Sequence, residues 1–293
     1  MHWPNTLDGN SLFLVHRSLF PPVLITSIHN PRIKEAAKLR ERKARLVVGR
    51  IIIDGAREIG RAITGGVQLI EAFVCEELCH TAEAAELLTH WSQPAESASF
   101  EIHSVTPAVF EKLAFGERAE GIVVIAQTPR TTLMDLTLPE TGLVCVLEGL
   151  EKPGNVGAVL RSADGSGVVA VIIADGRTDI YNPNAIRASL GTIFTVPICQ
   201  ATSRETLHWL RERDCDIFAA RVDGAIEYTQ ADFHRRAAIV LGSEADGLSD
   251  IWYGPDVTSI KLPMCGTADS LNVSATASIL FYEALRQRTI EQR

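Results

Sequence analysis

The chain has 293 residues, of which 46% are hydrophobic and 22% are charged, and its formal net charge at pH 7 is -8. No apolar stretch approaches the roughly 18 residues that a membrane span needs, so length and composition predict a cytoplasmic globular protein with two domains. The negative net charge excludes a protein that coats nucleic acid non-specifically.

The N-terminal part begins with an extension, residues 1–23, which has no clear hydrophobic period and contains three prolines. A helix is predicted from Asn30 to Arg45, with Asn30 as its N-cap and Pro31 at its first position. Residues 32–50 carry eight basic side chains and two carboxylates, a net charge of +6. This concentration favours local docking on RNA phosphates, although a solvated amphipathic helix has the same pattern. The predicted RNA-binding residues are Arg32, Lys34, Lys38, Arg42, Lys43 and Arg45.

Strand-like and helical runs then alternate as far as Gln127, with the first strand-like run at residues 46–55. They predict a small α/β/α sandwich, and we place this domain at residues 24–127. Cys75, Cys79 and His80 lie close together in it, but no second pair at zinc-site spacing accompanies them, so no metal site is predicted. Residues 128–141, with two prolines and several threonines, predict a linker.

The second predicted domain, residues 142–293, contains nearly continuous β-branched and apolar runs, one of them at residues 194–198. Such runs are typical of strands buried on both faces of a largely parallel sheet. Helices are predicted to begin near five residues: Asn155, Asn182, Ser203, Glu244 and Asn272.

Three short motifs in this domain each follow a predicted strand, where open α/β sheets bind ligands. They are NVGAVLRSA at 155–163, LGSEADGLS at 241–249 and LPMCGTADSLNVSATA at 262–277. In the second motif Gly242 allows close approach of the backbone to a ligand. In the third, Ser270 is a candidate helix N-cap, and Asn272 offers both a donor and an acceptor.

The order and content of these motifs resemble the SpoU/TrmH family of SPOUT methyltransferases. Members of this family transfer a methyl group from S-adenosyl-L-methionine to a ribose 2'-hydroxyl of structured RNA. The resemblance implies an α/β fold whose C-terminal SPOUT domain has a mostly parallel sheet and a deep trefoil knot. It also implies a preceding substrate-binding domain like a ribosomal-protein fold, and a homodimer formed through the SPOUT domain.

The family's functional positions are carried onto the matching residues of this chain. The implied catalytic residues are Arg161, Asn155, Glu244, Ser270 and Asn272. The implied cofactor-binding residues are Leu241, Gly242, Glu244, Leu262, Met264, Leu271 and Asn272. Family members usually have a glycine where this chain has Ala245 or Asp246. The family's loop shape is therefore not carried over, whereas the role of Glu244 is. No metal is implied, and Arg161 is expected to act across the subunit interface.

The extra N-terminal domain favours ribosomal RNA as the substrate over tRNA, which remains an alternative. A second alternative is a non-catalytic RNA-binding assembly factor on the same fold, and the presence of Asn155, Arg161, Glu244 and Asn272 argues against it. A dinucleotide-dependent enzyme is disfavoured because the chain lacks the GxGxxG fingerprint.

Overall fold

The structure is a computed structural model that describes residues 24–92, 100–115 and 120–290. The predicted N-terminal extension therefore lies outside the described residues. None of the helices within those ranges is both long enough and apolar enough to cross a membrane.

The N-terminal domain is built on a five-stranded mixed sheet with helices on both faces. Its strands are β1 (Leu24–Ile25), β2 (Arg50–Asp54), β3 (Leu69–Val74), β4 (Glu101–Val105) and β5 (Ile122–Gln127). Its helices are α1 (Pro31–Lys38), α2 (Arg42–Val48), α3 (Ala56–Thr64), α4 (Ala82–Trp91) and α5 (Pro107–Leu113). The strand order is β1-β4-β3-β5-β2, with β5 antiparallel to both neighbours. Helices α1 and α5 cover one face and α3 and α4 the other, which is the predicted sandwich.

The predicted helix from Asn30 to Arg45 is two helices in the structure, and the strand predicted over residues 46–55 was wrong at its start. The Asn30 side chain accepts a hydrogen bond from the Arg32 amide, so the predicted N-cap is confirmed. Residues 46–48 belong to α2, which ends at Gly49 with a φ of 65°. Glycine adopts this left-handed conformation without strain, so it stops the helix and lets β2 begin at Arg50.

The C-terminal domain contains a seven-stranded sheet in which the pairings are parallel, as the apolar runs predicted. Its strands are β6 (Leu143–Glu148), β7 (Ala170–Ala174), β8 (Ile198–Ala201), β9 (Asp216–Ala220), β10 (Ile226–Glu227), β11 (Ala237–Leu241) and β12 (Val257–Lys261). Its helices are α6 (Pro153–Ser166), α7 (Pro183–Ala188), α8 (Ser203–Arg211) and α9 (Val273–Ile290). The order β10-β12-β9-β11-β6-β7-β8 brings the carboxyl ends of β6, β11 and β12 to one edge of the sheet.

Two predicted elements of this domain are different in the structure. The helix predicted near Glu244 is a tight turn in which Ser243 and Gly247 exchange two backbone hydrogen bonds of 3.1 Å. The strand predicted over residues 194–198 begins only at Ile198, since Thr192–Phe194 form a 3-10 turn. Periodicity does not distinguish a short apolar turn from the start of a strand.

The two domains share one hydrophobic core, which runs from β2 and α3 of the first domain into β6, α6 and α7 of the second. Polar contacts reinforce this interface: Arg45 pairs with Asp179, and Arg61 donates to the Leu190 carbonyl at 2.8 Å. The predicted linker is itself packed, because Leu136 is buried against the second domain. The domains are therefore held in a fixed relation.

Candidate active site

The second and third motifs form the walls of a cavity of about 740 Å³ at the carboxyl edge of the seven-stranded sheet. Six of the seven predicted cofactor-binding residues line it, together with the predicted catalytic residue Ser270. These six are Leu241, Gly242, Glu244, Leu262, Met264 and Leu271. Because the sheet is parallel, loops that are 20 residues apart in sequence leave the same edge and meet.

Gly242 is required by the close packing of this cavity wall. A Cβ atom on Gly242 would lie 2.2 Å from the Gly247 carbonyl oxygen and 2.7 Å from the Leu248 nitrogen. Gly247 itself has a φ of 67°, in the region that favours glycine. The two glycines close the turn after β11 and leave its backbone exposed to the cavity.

A polar network beside the cavity joins the three motifs through the carboxylate of Glu244. Its Oε1 accepts from Asn155 Nδ2 at 3.1 Å and from Asn272 Nδ2 at 2.5 Å, while Oε2 accepts from Lys152 Nζ at 2.6 Å. The hydrogen bond from Lys152, followed by its positive charge and the two amides, holds the pKa of Glu244 below its usual value. The same bond raises the pKa of Lys152.

Asn272 also caps α9, because its Oδ1 accepts from the Ser274 amide at 3.0 Å and from the Ser274 hydroxyl at 2.6 Å. The prediction that Ser270 is the N-cap was therefore wrong, since Asn272 occupies that position two residues later. The predicted use of Asn272 as both donor and acceptor is present in the geometry.

Arg161 lies outside the cavity, on the exposed side of α6. Among the described residues it has no hydrogen-bond or ion-pair partner. Helix α6 is anchored beneath it, because Gly157 has no space for a Cβ against the Ala185 carbonyl oxygen of α7, 2.6 Å away. Ser162 also contacts Ser278 of α9 at 2.8 Å. The Arg161 side chain thus projects from a fixed helix.

Three features around the cavity were not predicted from the sequence. Lys152 lies three residues before Asn155, and it reaches Glu244 because β6 and β11 are adjacent parallel strands, which the strand pattern alone does not reveal. Arg221 makes a bidentate pair with Asp223, at 2.9 and 2.6 Å, and its guanidinium lies 3.6 Å from the centre of the Tyr253 ring. No local pattern marks that stack.

The third missed residue is Glu148, a buried carboxylate at the end of β6. It accepts hydrogen bonds from the amide and hydroxyl of Ser249, both at 2.7 Å, and from Trp252 Nε1 at 2.8 Å. The Ser203 hydroxyl donates to it at 2.5 Å. A buried charge is tolerated when donors surround it in this way, so Glu148 fixes the end of the second motif to the sheet.

The predicted RNA-binding cations have different environments. Lys34, Lys38 and Lys43 are exposed. Arg32 pairs with Glu101 at 2.7 Å, and Arg42 donates to the Arg177 carbonyl at 2.9 Å while remaining exposed. Arg45 is buried and its guanidinium binds Asp179 of the second domain. Assigning Arg45 to RNA was a mistake, because the domain interface covers this side chain.

The described residues contain no group of His, Cys, Asp and Glu side chains suited to a metal ion. Cys79 contacts the Cys75 carbonyl at 3.4 Å, and burial raises the pKa of Cys79 to about 12. Such a thiol behaves as a small apolar side chain at neutral pH.

Comparison with known proteins shows matches to both domains. Residues 142–282 match the model of the SpoU rRNA methylase family, and residues 30–124 match the MRM3-like substrate binding domain. The chain is 31% identical, over 67% of its length and 82% of the relative, to the 23S rRNA (guanosine-2'-O-)-methyltransferase RlmB of Bordetella pertussis.

Two solved structures are similar over nearly the whole chain. An RNA 2'-O ribose methyltransferase is 39% identical, with a TM-score of 0.78 and coverage of 91% of this chain and 100% of that one. The SpoU methyltransferase AviRb from Streptomyces viridochromogenes, in complex with AdoMet, is 26% identical, with a TM-score of 0.79 and coverage of 89% and 98%. Together with the converging motifs, these matches establish that the chain belongs to the SpoU rRNA methylase family.

Proposed function

We propose that this protein methylates a ribose 2'-hydroxyl of 23S ribosomal RNA, with S-adenosyl-L-methionine as the methyl donor. The observation that carries the proposal is that the second and third motifs line one cavity and that all three motifs meet at one carboxylate, Glu244. Similarity to 23S rRNA methyltransferases, one of them matched over 90% of this chain and 92% of its own length, supports the choice of ribosomal RNA over tRNA.

The cavity fits the cofactor in size and chemistry. Its volume of about 740 Å³ lies within the range of roughly 300–1,000 Å³ found for small-molecule sites. Leu241, Leu262 and Leu271 provide apolar walls, and Gly242 leaves room that a Cβ would fill. Glu244 and Asp269 also line the cavity, and their negative charges complement a cationic cofactor.

The protein's contribution to the reaction is positioning and charge stabilisation. When bound, S-adenosylmethionine supplies an activated methyl group on a sulfonium sulfur. Glu244, held ionised by Lys152, fixes the amides of Asn155 and Asn272, and with Ser270 these groups orient the ribose and the cofactor. The Arg161 guanidinium stabilises the developing negative charge on the 2'-oxygen. Since arginine keeps its proton in proteins, the hydroxyl proton goes to water or to a neighbouring phosphate.

The exposure of Arg161 outside the cavity supports a homodimeric arrangement. Arg161 has no partner among the described residues, so it is available to the site of a second copy, as the family resemblance implies. From the family resemblance we also propose the deep trefoil knot, which forms where the chain after β12 threads through an earlier loop. We propose a cytoplasmic location, because the relative RlmB is a bacterial 23S rRNA methyltransferase and bacterial ribosomes are assembled in the cytoplasm.

The proposal is tested by methyl transfer from labelled S-adenosylmethionine to unmodified 23S rRNA transcripts, with bulk tRNA as the competing substrate. Arg161→Ala should lower turnover by roughly two to three orders of magnitude and leave S-adenosylhomocysteine binding intact. Arg204→Ala removes an exposed arginine from α8 and serves as the matched control. Near-normal turnover of Arg161→Ala would refute the role of Arg161 in charge stabilisation. Methyl transfer to tRNA alone would refute 23S rRNA as the substrate.

A further inference from the structure

The end of helix α2 exposes three consecutive apolar side chains. Leu46, Val47 and Val48 are 71%, 77% and 52% exposed, in a domain whose other large apolar residues are mostly buried. Such an exposed cluster on a folded domain indicates contact with a partner.

Cations accompany these apolar residues in a regular way. Residues 42–50 contain four basic residues and no carboxylate. Because residues four apart share a helix face, Arg42 lies beside Leu46, and Lys43 lies beside Val47. The resulting surface alternates positive charge with apolar area, and it belongs to a chain whose net charge is -8.

Helix α2 is fixed next to the carboxyl edge of the seven-stranded sheet of the C-terminal domain, here called the catalytic sheet. Arg45 is buried against Asp179 and Arg42 donates to the Arg177 carbonyl, both in the loop that follows β7. Strand β7 is the direct neighbour of β6, whose carboxyl end leads to Asn155. The two loops therefore leave the sheet about one strand spacing apart, roughly 4.8 Å. A groove of about 260 Å³, lined by Leu46 and Arg130 among others, lies between α2 and the second domain beside the Arg45–Asp179 pair.

We propose that this surface, the α2 tip formed by Lys43, Leu46, Val47 and Val48, holds an unpaired nucleotide of the substrate RNA on the side of the loop after β7, the neighbour of the loop that leads to Asn155. Cations bind the phosphates, and the apolar side chains cover an exposed base. A paired stem presents mainly 2'-hydroxyls and phosphates, which apolar side chains cannot bind, so the surface selects an unstacked base. This inference rests on the proposed function and adds a second contact point for the RNA.

The test is Leu46→Ser/Val47→Ser, with Met134→Ser as the matched control, because Met134 is 82% exposed and lies in a separate turn. All three residues are on the surface, so the variants should fold. The dissociation constant for a 23S rRNA transcript is measured over a range of salt concentrations. Affinity for S-adenosylhomocysteine is measured in parallel.

The double variant should bind the transcript about tenfold more weakly, because part of the apolar surface that two side chains bury against the base is lost. The slope of log affinity against log salt should stay unchanged, since no phosphate contact is lost. Lys43→Gln should instead reduce that slope by about 0.7. Methylation by the double variant should show a raised KM at unchanged kcat.

Wild-type RNA affinity in the double variant would overturn the inference. Loss of self-association in sedimentation, with RNA affinity unchanged, would also overturn it and assign the surface to contact between copies. Failure of the proposed function is distinguishable, because it appears in the wild type as absent S-adenosylhomocysteine binding or absent methylation.

Discussion

Replacing Gly242 with alanine is the sharpest test of the cavity wall. The new Cβ would lie 2.2 Å from the Gly247 carbonyl oxygen, 2.3 Å from the Gly247 carbonyl carbon and 2.7 Å from the Leu248 nitrogen. All three are backbone atoms, so no side chain can rotate away to relieve the overlap. The turn between Ser243 and Gly247 must open, which breaks or lengthens its two hydrogen bonds of 3.1 Å.

The size of the effect follows from this geometry. Forced overpacking costs about 1–3 kcal/mol, and each weakened backbone hydrogen bond adds about 1 kcal/mol. Because the turn is local and half exposed, much of the strain can be released by moving the loop into the cavity. We therefore expect a fall in Tm of only a few degrees, but a roughly 10- to 100-fold weaker affinity for S-adenosylhomocysteine.

Calorimetric titration with S-adenosylhomocysteine measures the affinity, and Gly266→Ala is the control. Gly266 lies in the neighbouring third motif and has open space around the position of a Cβ, so its variant should bind like the wild type. If Gly242→Ala binds as tightly as Gly266→Ala, the turn after β11 is not a wall of the cofactor site, and the assignment of the cavity fails.

Two further predictions concern titrating groups. Lys152→Met should let the pKa of Glu244 rise toward its usual value, so the acidic limb of the methylation rate should move to higher pH, and an unmoved limb would contradict the network. Burial raises the pKa of Asp54 to about 6, so the folded state binds a proton on this carboxyl more tightly than the unfolded chain does. Protonation of Asp54 therefore stabilises the fold at low pH, and this stabilisation is lost as pH rises through 6. The free energy of unfolding of the wild type, relative to Asp54→Asn, should therefore fall by roughly 2 kcal/mol between pH 4 and 7.5 in urea titrations, whereas a pH-independent difference would refute the burial argument.

The cavity was largely predictable from the sequence because its residues occupy positions with strong local rules. Gly242 ends a buried strand, and Leu262 precedes a proline that stops strand pairing. In a parallel sheet, residues at strand ends share an edge whatever their separation in the chain. The strand pattern therefore predicted that the motifs lie at ligand-binding strand ends, while the resemblance to the SpoU/TrmH family supplied which residues bind the cofactor.

The partners of charged side chains were not predictable in the same way. Arg45 and Lys43 are two residues apart on one basic helix, yet Arg45 is buried against Asp179 and Lys43 faces solvent. The partner Asp179 is 134 residues away in the chain. A charge pattern records the type of side chain but not the partner that tertiary packing supplies, and this is why Arg45 was assigned to RNA together with its exposed neighbours.

The burial of Arg45 changes the physical picture of RNA recognition by this chain. A flexibly tethered RNA-binding domain would raise the local concentration of substrate but would select no particular distance between its contact and the target nucleotide. Here the continuous hydrophobic core and the Arg45–Asp179 pair hold the N-terminal domain against the catalytic sheet. An RNA that contacts both the N-terminal domain and the catalytic site must therefore match the fixed distance between them. An RNA that does not match this distance must be deformed, or the two domains must separate. Separating the domains would expose the hydrophobic core that they share, so we expect the domain interface itself to restrict which nucleotide reaches the site.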